Sequence, residues 1–295
     1  MTVAALPPLA SPPSWRADGG DWPNREHSRF VAAGGVRWHV QVAGSGPVVL
    51  LLHGTGAATH SWRDVLPVLA GRFTVVAPDL PGHGFTSALT SPTLPAMAAA
   101  VAALTAALGV DPALVVGHSA GAALALKLSL AAPVPVVAFN GALLPFPGMA
   151  AAIFPTLARL LFVNPVVPAL FAWQARSPGA VERLLGSTGS TLDARGTELY
   201  ARLFRRADHV AGALAMMANW DLAALAADYP KLTSPLRLVV GERDTTVPPQ
   251  VSRDVAGRVP GAEVVALPAL GHLAHEEDPA GAVRLIGQAA DDWGV

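Results

Sequence analysis

The residues able to do chemistry fall in three short stretches: Gly117-His118-Ser119-Ala120-Gly121, Gly241-Glu242-Arg243-Asp244 and Leu270-Gly271-His272. A serine hydroxyl becomes a useful nucleophile when a base takes its proton. An imidazole serves as that base when a carboxylate fixes its tautomer and direction. Ser119, Asp244 and His272 follow the chain order of proteins that carry the serine on a sharp strand-to-helix turn. The G-x-S-x-G spacing marks that turn. It pushes Ser119 into strained φ/ψ, and side chains at Gly117 and Gly121 would collide with the neighbouring strand and helix. The chemistry predicted is cleavage of an ester or another acyl-type bond. Ser119 attacks, His272 acts as base and then acid, and Asp244 holds the imidazole.

A developing oxyanion needs backbone donors. The elbow aims the N–H of Ala120 at the reacting point, and His53-Gly54-Thr55-Gly56, a Gly-rich turn after an apolar run, supplies a second. That donor is assigned to Thr55, with Gly56 as the fallback. His275 lies one helical turn beyond His272 and is read as structural. Asp79 and His83 are read as fixing a turn beside the site, and His118 as flanking the nucleophile. None of these four receives a chemical role, and the motifs call for no cofactor and no metal.

Three loops so far apart in the chain meet only if one sheet carries them all. Residues 48–52 form an uninterrupted apolar run, the mark of a central strand covered on both faces. Strands are expected at 36–42, 73–77, 113–116, 134–139, 236–240 and 262–267, and helices at 94–108, 120–127, 251–259 and 280–293. Such alternation predicts an α/β fold whose mostly parallel central sheet is flanked by helices. Ser119, Asp244 and His272 all follow strands, and loops at the C-terminal ends of parallel strands converge on one site.

The rhythm stops between residues 141 and 233, where strand-forming segments are absent. This block is read as an all-helical cap inserted between two core segments, 21–140 and 234–295. Residues 1–20, rich in proline, are read as a flexible tail. From Gly141 to Gln174 the only charge is Arg159. Pro145, Pro147, Pro155, Pro165 and Pro168 interrupt every window of the ~20 residues that a membrane span requires. An apolar cap over a pocket with Ser119 at its floor is the first reading, and reversible membrane contact the second. Leu143, Leu144, Phe146, Ile153, Phe154, Phe162, Phe171 and Trp173 are the large side chains in this stretch, and those not packed on the core should line the pocket.

With 295 residues, the chain allows one large domain or one domain with an insertion. Hydrophobic residues make up 52% and charged ones 14%, ample material for a core. A net charge of −1 gives no electrostatic case for nucleic acid or an anionic membrane surface. The absence of cysteine excludes disulfides, thiolate metal sites and a cysteine nucleophile, and fits a cytoplasmic setting. The first basic residue is Arg16, so the N-terminus lacks the pattern of a secretory signal.

From about Phe30 to Trp293 these features resemble the α/β-hydrolase superfamily. Asp21-Trp22-Pro23-Asn24-Arg25, Trp38-His39-Val40-Gln41, His60-Ser61-Trp62-Arg63, Ser187-Thr188-Gly189-Ser190 and Met216-Met217-Ala218-Asn219-Trp220-Asp221-Leu222 resemble one group within it. That group is the hydrolase-fold magnesium-chelatase accessory proteins of bacteriochlorophyll biosynthesis, also called the magnesium-chelatase 30 kDa subunit family. The resemblance implies a phototrophic bacterium and a role near magnesium–tetrapyrrole intermediates. The partners it suggests are an apolar small molecule such as a magnesium tetrapyrrole or its ester, and a transient contact with the chelatase or a membrane surface. Two functions follow. One is a serine hydrolase, for which carbon–carbon bond hydrolysis stays open; the other is a tetrapyrrole-binding accessory protein that keeps a relic triad.

Overall fold

Val48–Leu52 carries no polar side chain, so its strand is stable only where helices cover both of its faces. A computed structural model, which describes residues 11–145, 164 and 166–295, puts it at the centre of an eight-stranded sheet. The strands are β1 (Ser28–Ala33), β2 (Val36–Ala43), β3 (Val48–Leu52), β4 (Thr74–Pro78), β5 (Pro112–His118), β6 (Val136–Phe139), β7 (Leu236–Gly241) and β8 (Glu263–Leu267). Their order is β1-β2-β4-β3-β5-β6-β7-β8. From β4 to β8 the pairing is parallel, while β1 and β2 are antiparallel additions at one edge.

The helices described are α1 (Trp15–Asp18), α2 (Leu66–Leu69), α3 (Leu94–Leu108), α4 (Ala120–Ala131), α5 (Val166–Gln174), α6 (Ala180–Gly186), α7 (Ala194–Phe204), α8 (Ala207–Asn219), α9 (Leu222–Asp228), α10 (Gln250–Ala256), α11 (Ala274–Glu277) and α12 (Pro279–Trp293). The ends of α3 are written in its sequence. Thr93 accepts from the Ala96 N–H, Pro95 sits in the first turn, and Gly109 closes the helix at φ 67°. Strand alternation sorts the core into two layers. Leu50 and Leu52 pack with Leu104 of α3 and Leu124 of α4 on one face. Val49 and Leu51 pack with Leu66 of α2 and Ile286 of α12 on the other.

The expected strands all form, with ends displaced by a residue or two. The sequence reading missed β1, whose residues are half-exposed and show no clean alternation. Its signal was the Gly34-Gly35 pair, with φ 58° and 75°, which closes a two-residue hairpin onto β2. Between β6 and β7 the described residues contain helices and no strand. Among the described residues no single helix is long and apolar enough to cross a membrane.

The N-terminal segment corrects one expectation. Residues 11–20, expected within a flexible tail, are packed from Ser11 onward. Ser11 N donates to Asp208 Oδ1 and its hydroxyl accepts from Ala207 N, so the segment docks on the start of α8. Asp18 is buried and pairs with Arg206 at 2.5 Å, while the Trp15 ring lies against Phe30, His39 and Phe85. A partly buried ion pair and an aromatic contact of this kind contribute about 2 kcal/mol. Deleting residues 1–20 should therefore lower Tm by about 3 °C in a thermal melt followed by circular dichroism. An unchanged Tm would show that the segment adds nothing to the folded state.

Candidate active site

Strand β5 ends at His118 and α4 begins at Ala120, so Ser119 alone makes the reversal. It does so at φ 51° and ψ −116°, a conformation that side-chain-bearing residues rarely hold. The backbone around it is tied on two sides. Ser119 N donates to Phe139 O at 3.0 Å, and Ser119 O accepts from Ala122 N and Ala142 N, each at 3.1 Å. Both motif glycines are required by close approach. A Cβ at Gly117 would overlap Gly121 O, and one at Gly121 would overlap Leu52 O at the end of β3.

Asp244 follows β7 and His272 follows β8, and the two side chains meet. His272 Nδ1 donates to Asp244 Oδ2 at 2.7 Å, with both side chains nearly buried. The remaining capacity of the carboxylate is filled by Thr246 N and Val247 N on Oδ1, both at 2.8 Å, and by Asn140 Nδ2 on Oδ2 at 2.9 Å. Four donors fix Asp244 in place. With Nδ1–H committed to Asp244, the neutral ring has Nε2 left as an acceptor. Among the described residues neither Ser119 Oγ nor His272 Nε2 has a hydrogen-bond partner. In unliganded sites that contact is commonly long and tightens with substrate.

The turn after β3 completes the neighbourhood. A Cβ at Gly54 would come within 3.0 Å of Ser119 Cβ and 2.8 Å of His118 Nδ1, so the turn sits directly on the elbow. Ala57 N donates to Gly54 O at 3.1 Å, and Gly56 takes φ 77°, the positive value that the third position of such a turn needs. Ala120, first residue of α4, keeps a free N–H because a helix provides no acceptor to its first turn. Among the described residues the backbone N–H groups of Thr55, beside Gly54, and of Ala120, beside Ser119, have no acceptor.

The residues denied a chemical role have structural ones. Asp79 Oδ1 accepts from Thr59 N, and Oδ2 from Phe85 N and His39 Nδ1, tying the 79–85 loop to β2 and to the segment after the Thr55 turn. His83 Nδ1 donates to Pro81 O within that loop. His275 is wholly buried with Nε2 on Ser61 Oγ at 2.8 Å, and burial lowers its pKa to about 3. His118 Nε2 donates to the His272 carbonyl at 2.8 Å, so the residue beside Ser119 supports the backbone of the His272 loop. Burial holds the His118 pKa well below the usual value.

Sequence reasoning missed the supports. Asn140, at the end of β6 with φ 47°, reaches both Asp244 and the Gly271 carbonyl. The segment from Ser187 to Ser190 threads between the Asp244 and His272 loops. Thr188 O accepts from His272 N and Thr245 N, and Ser190 Oγ accepts from Leu273 N. A Cβ at Gly189 would overlap Arg243 O, so this position also has room for hydrogen alone. Only the positive-φ asparagine and the glycine could have hinted at these roles, and neither type announces its partner.

The apolar stretch after Gly141 divides. Leu143 is fully buried in the core, whereas Phe171 and Trp173 of α5 remain 39% and 38% exposed. Phe146, Ile153, Phe154 and Phe162 lie outside the described residues. A side chain that does approach the Thr55 turn is Phe204 of α7, whose ring lies 3.1 Å from where a Gly56 Cβ would be.

A model of the α/β hydrolase fold family matches residues 47–279. The magnesium-chelatase 30 kDa subunit of Rhodobacter capsulatus is 41% identical over 266 residues, covering 88% of this chain and 93% of that protein. The epoxide hydrolase CorEH superposes with a TM-score of 0.75 at 24% identity, covering 90% of this chain and 98% of its own. An esterase from Exiguobacterium antarcticum superposes with a TM-score of 0.72 at 17% identity, covering 88% and 98%. The two superpositions are likenesses of fold.

Acid should reveal the histidines around the site. His53, His60, His83, His118, His209 and His275 are all buried, and burial holds each pKa below 6.5, to about 4 for His209 and about 3 for His275. They are neutral in the folded chain, while the unfolded chain takes up protons below about pH 6.5. Their contribution is thus whole above pH 6.5 and is lost as pH falls towards 4, by roughly 1 kcal/mol per pH unit for each histidine fully titrated in the unfolded chain. Glu276, whose pKa burial raises, opposes this as a single group. The urea midpoint should be level from pH 8 to 7 and drop steeply between pH 6 and 4.5. A midpoint flat to pH 4.5 would refute the neutral, buried assignment.

Proposed function

This chain belongs to the α/β-hydrolase fold family, and within it to that of the magnesium-chelatase 30 kDa subunit, and from that premise we propose that it is a serine hydrolase cleaving an ester or other acyl-type bond of an apolar substrate. The observation that carries this reading is the Asp244–His272 hydrogen bond beside a serine held at positive φ. A protein that only binds has no use for a serine held in a strained backbone, which costs stability, beside a carboxylate-oriented imidazole.

In the proposed reaction His272 Nε2 takes the proton of Ser119 as Oγ bonds to the acyl carbon. The carbonyl oxygen, now anionic, faces the N–H groups of Thr55 and Ala120. Collapse breaks the bond to the leaving alcohol, which departs with the proton from His272. Water then enters, gives a proton to His272 and releases the acid, restoring Ser119. A serine at this position argues against epoxide opening or dehalogenation through an aspartate ester, and leaves carbon–carbon bond hydrolysis within reach. The helical block over the strand ends serves as a cap in this reading.

The name of the Rhodobacter capsulatus relative favours a second reading, in which the chain binds a magnesium tetrapyrrole or its ester as an accessory to chelatase and the triad is idle. An active-site fluorophosphonate separates the two. Ser119 should be the single serine labelled, and Ser119→Ala or His272→Ala should remove p-nitrophenyl ester turnover by on the order of 10⁶ in kcat. Asp244→Asn should fold normally and lose about 10⁴, because the imidazole would adopt the wrong tautomer. Turnover undiminished in Ser119→Ala would sink the hydrolase.

Ligand class is read separately. Titration with magnesium protoporphyrin should quench intrinsic tryptophan fluorescence, since Trp173 and Trp220 both lie in the helical block. Binding without turnover, equally tight in Ser119→Ala, would favour the accessory role. Absence of binding together with fast hydrolysis of acetate esters would remove the tetrapyrrole link.

A further inference from the structure

Helix α8 presents one stripe, residues 209, 212 and 216, to the loops that flank Ser119, at the three- and four-residue spacing that keeps side chains on one helical face. Each of the three does something different there. Gly212 allows the closest approach: a Cβ on it would overlap the Gly82 carbonyl. Met216 Sδ accepts from Thr55 Oγ1 at 3.1 Å. His209 is wholly buried and uses both ring nitrogens. Its Nε2–H donates to Gly56 O at 3.0 Å, and its Nδ1 accepts from Gly84 N at 3.0 Å.

These two bonds fix the tautomer. An N–H donor faces Nδ1 and a carbonyl faces Nε2, so the imidazole is neutral with its proton on Nε2. The Gly56 carbonyl belongs to the same turn as the Thr55 N–H. Because Gly56 is at φ 77°, small rotations there cost little, and the turn's own bond from Ala57 N to Gly54 O does not hold that carbonyl. The two central residues of the turn are therefore held from outside, Gly56 by His209 and Thr55 by Met216, both on α8.

We infer that His209 is a positioning residue for the oxyanion turn: His53 Nδ1 and Ala57 N hold the Gly54 carbonyl of the peptide that carries the Thr55 N–H, and His209 fixes the far side of the same turn at Gly56, so that the helical block keeps the Thr55 N–H directed towards the oxygen bound at Ser119. The inference rests on the hydrolase reading for its catalytic consequence, and on geometry alone for the order of the turn. It also gives α8 a task other than covering the site: the donor is in register when this helix is seated.

Two near-isosteric variants divide the contacts. His209→Gln places an amide nitrogen near the Nε2 position and can still donate to Gly56 O. His209→Asn places its amide near Nδ1, so it can keep the Gly84 contact and cannot reach Gly56. Amide hydrogen exchange over residues 54–57 reads the turn without reference to activity. It should be faster in His209→Asn and close to wild type in His209→Gln. The rate of Ser119 labelling by a fluorophosphonate should fall about 10- to 100-fold in His209→Asn, short of the 10²–10³ for outright loss of an oxyanion donor. It should stay within about threefold of wild type in His209→Gln. For a p-nitrophenyl ester the loss should lie in kcat, with KM little changed.

Unchanged exchange in His209→Asn, or equal damage in both variants, would overturn the positioning role. Wild-type protein that is not labelled at Ser119 would overturn the hydrolase reading, and the exchange data would still decide whether His209 orders the turn. Should His209→Asn fail to fold, Met216→Leu loosens the same turn at nearly constant volume. It should then speed exchange at residues 54–57 and slow labelling about threefold, and no change in either would count against the inference.

Discussion

The constraint on which the rest depends is the reversal at Ser119. The chain leaves β5 and enters α4 through one residue at φ 51°, and conformations of this kind cost of order 1–3 kcal/mol. What holds it there is contact without slack. Gly117 lies against the start of α4, Gly121 lies against the end of β3, and neither has room for a Cβ. Relaxing Ser119 would require α4 to lift from the sheet, which would strip Ala122, Leu124 and Leu126 from the main core. The strain is thus secured by burial far larger than itself, and its consequence is a serine placed just past the C-terminal end of β5.

Parallel pairing from β4 to β8 then decides what surrounds that hydroxyl. Each parallel strand delivers its following loop to the same edge, so Thr55, Ser119, Asn140, Asp244 and His272 arrive from five successive sheet positions: β3, β5, β6, β7 and β8. Loops are soft, and the structure stiffens these with segments from the helical block. Residues 187–190 lie between the Asp244 and His272 loops, and α8 lies on the Thr55 turn. The block is therefore part of the site's framework.

Histidine is used here chiefly as a neutral buried linker. His118 donates to the His272 carbonyl, His53 joins the Leu80 N–H to the Gly54 carbonyl, and His209 joins Gly84 to Gly56. A neutral imidazole can donate at one nitrogen and accept at the other, which suits it to bridge backbone groups that lack a ladder partner. Burial supplies the condition, since it disfavours the charged form, whose second N–H would face a backbone N–H instead of an acceptor.

Much of this was legible in the sequence. Uninterrupted apolar runs marked the central strands, since a strand buried on both faces has no need of polar residues. G-x-S-x-G marked the elbow, since only glycine tolerates those two approaches. The three candidate catalytic residues could be named from their positions after strands. What sequence could not supply were interactions whose partners are set by packing. Asn140 is an ordinary residue after a short strand until β7 and β8 bring Asp244 and Gly271 beside it. Residues 11–20 read as a loose tail because their proline content says nothing of Arg206, which is more than 180 residues away and pairs with Asp18. His209 looked like one more helix residue, for a helical stripe shows its periodicity but not what it rests on. Local pattern determined the strands, the elbow and the order of Ser119, Asp244 and His272; the tertiary structure alone decided which backbone groups and side chains hold them in place, because those contacts join segments that no spacing along the chain relates.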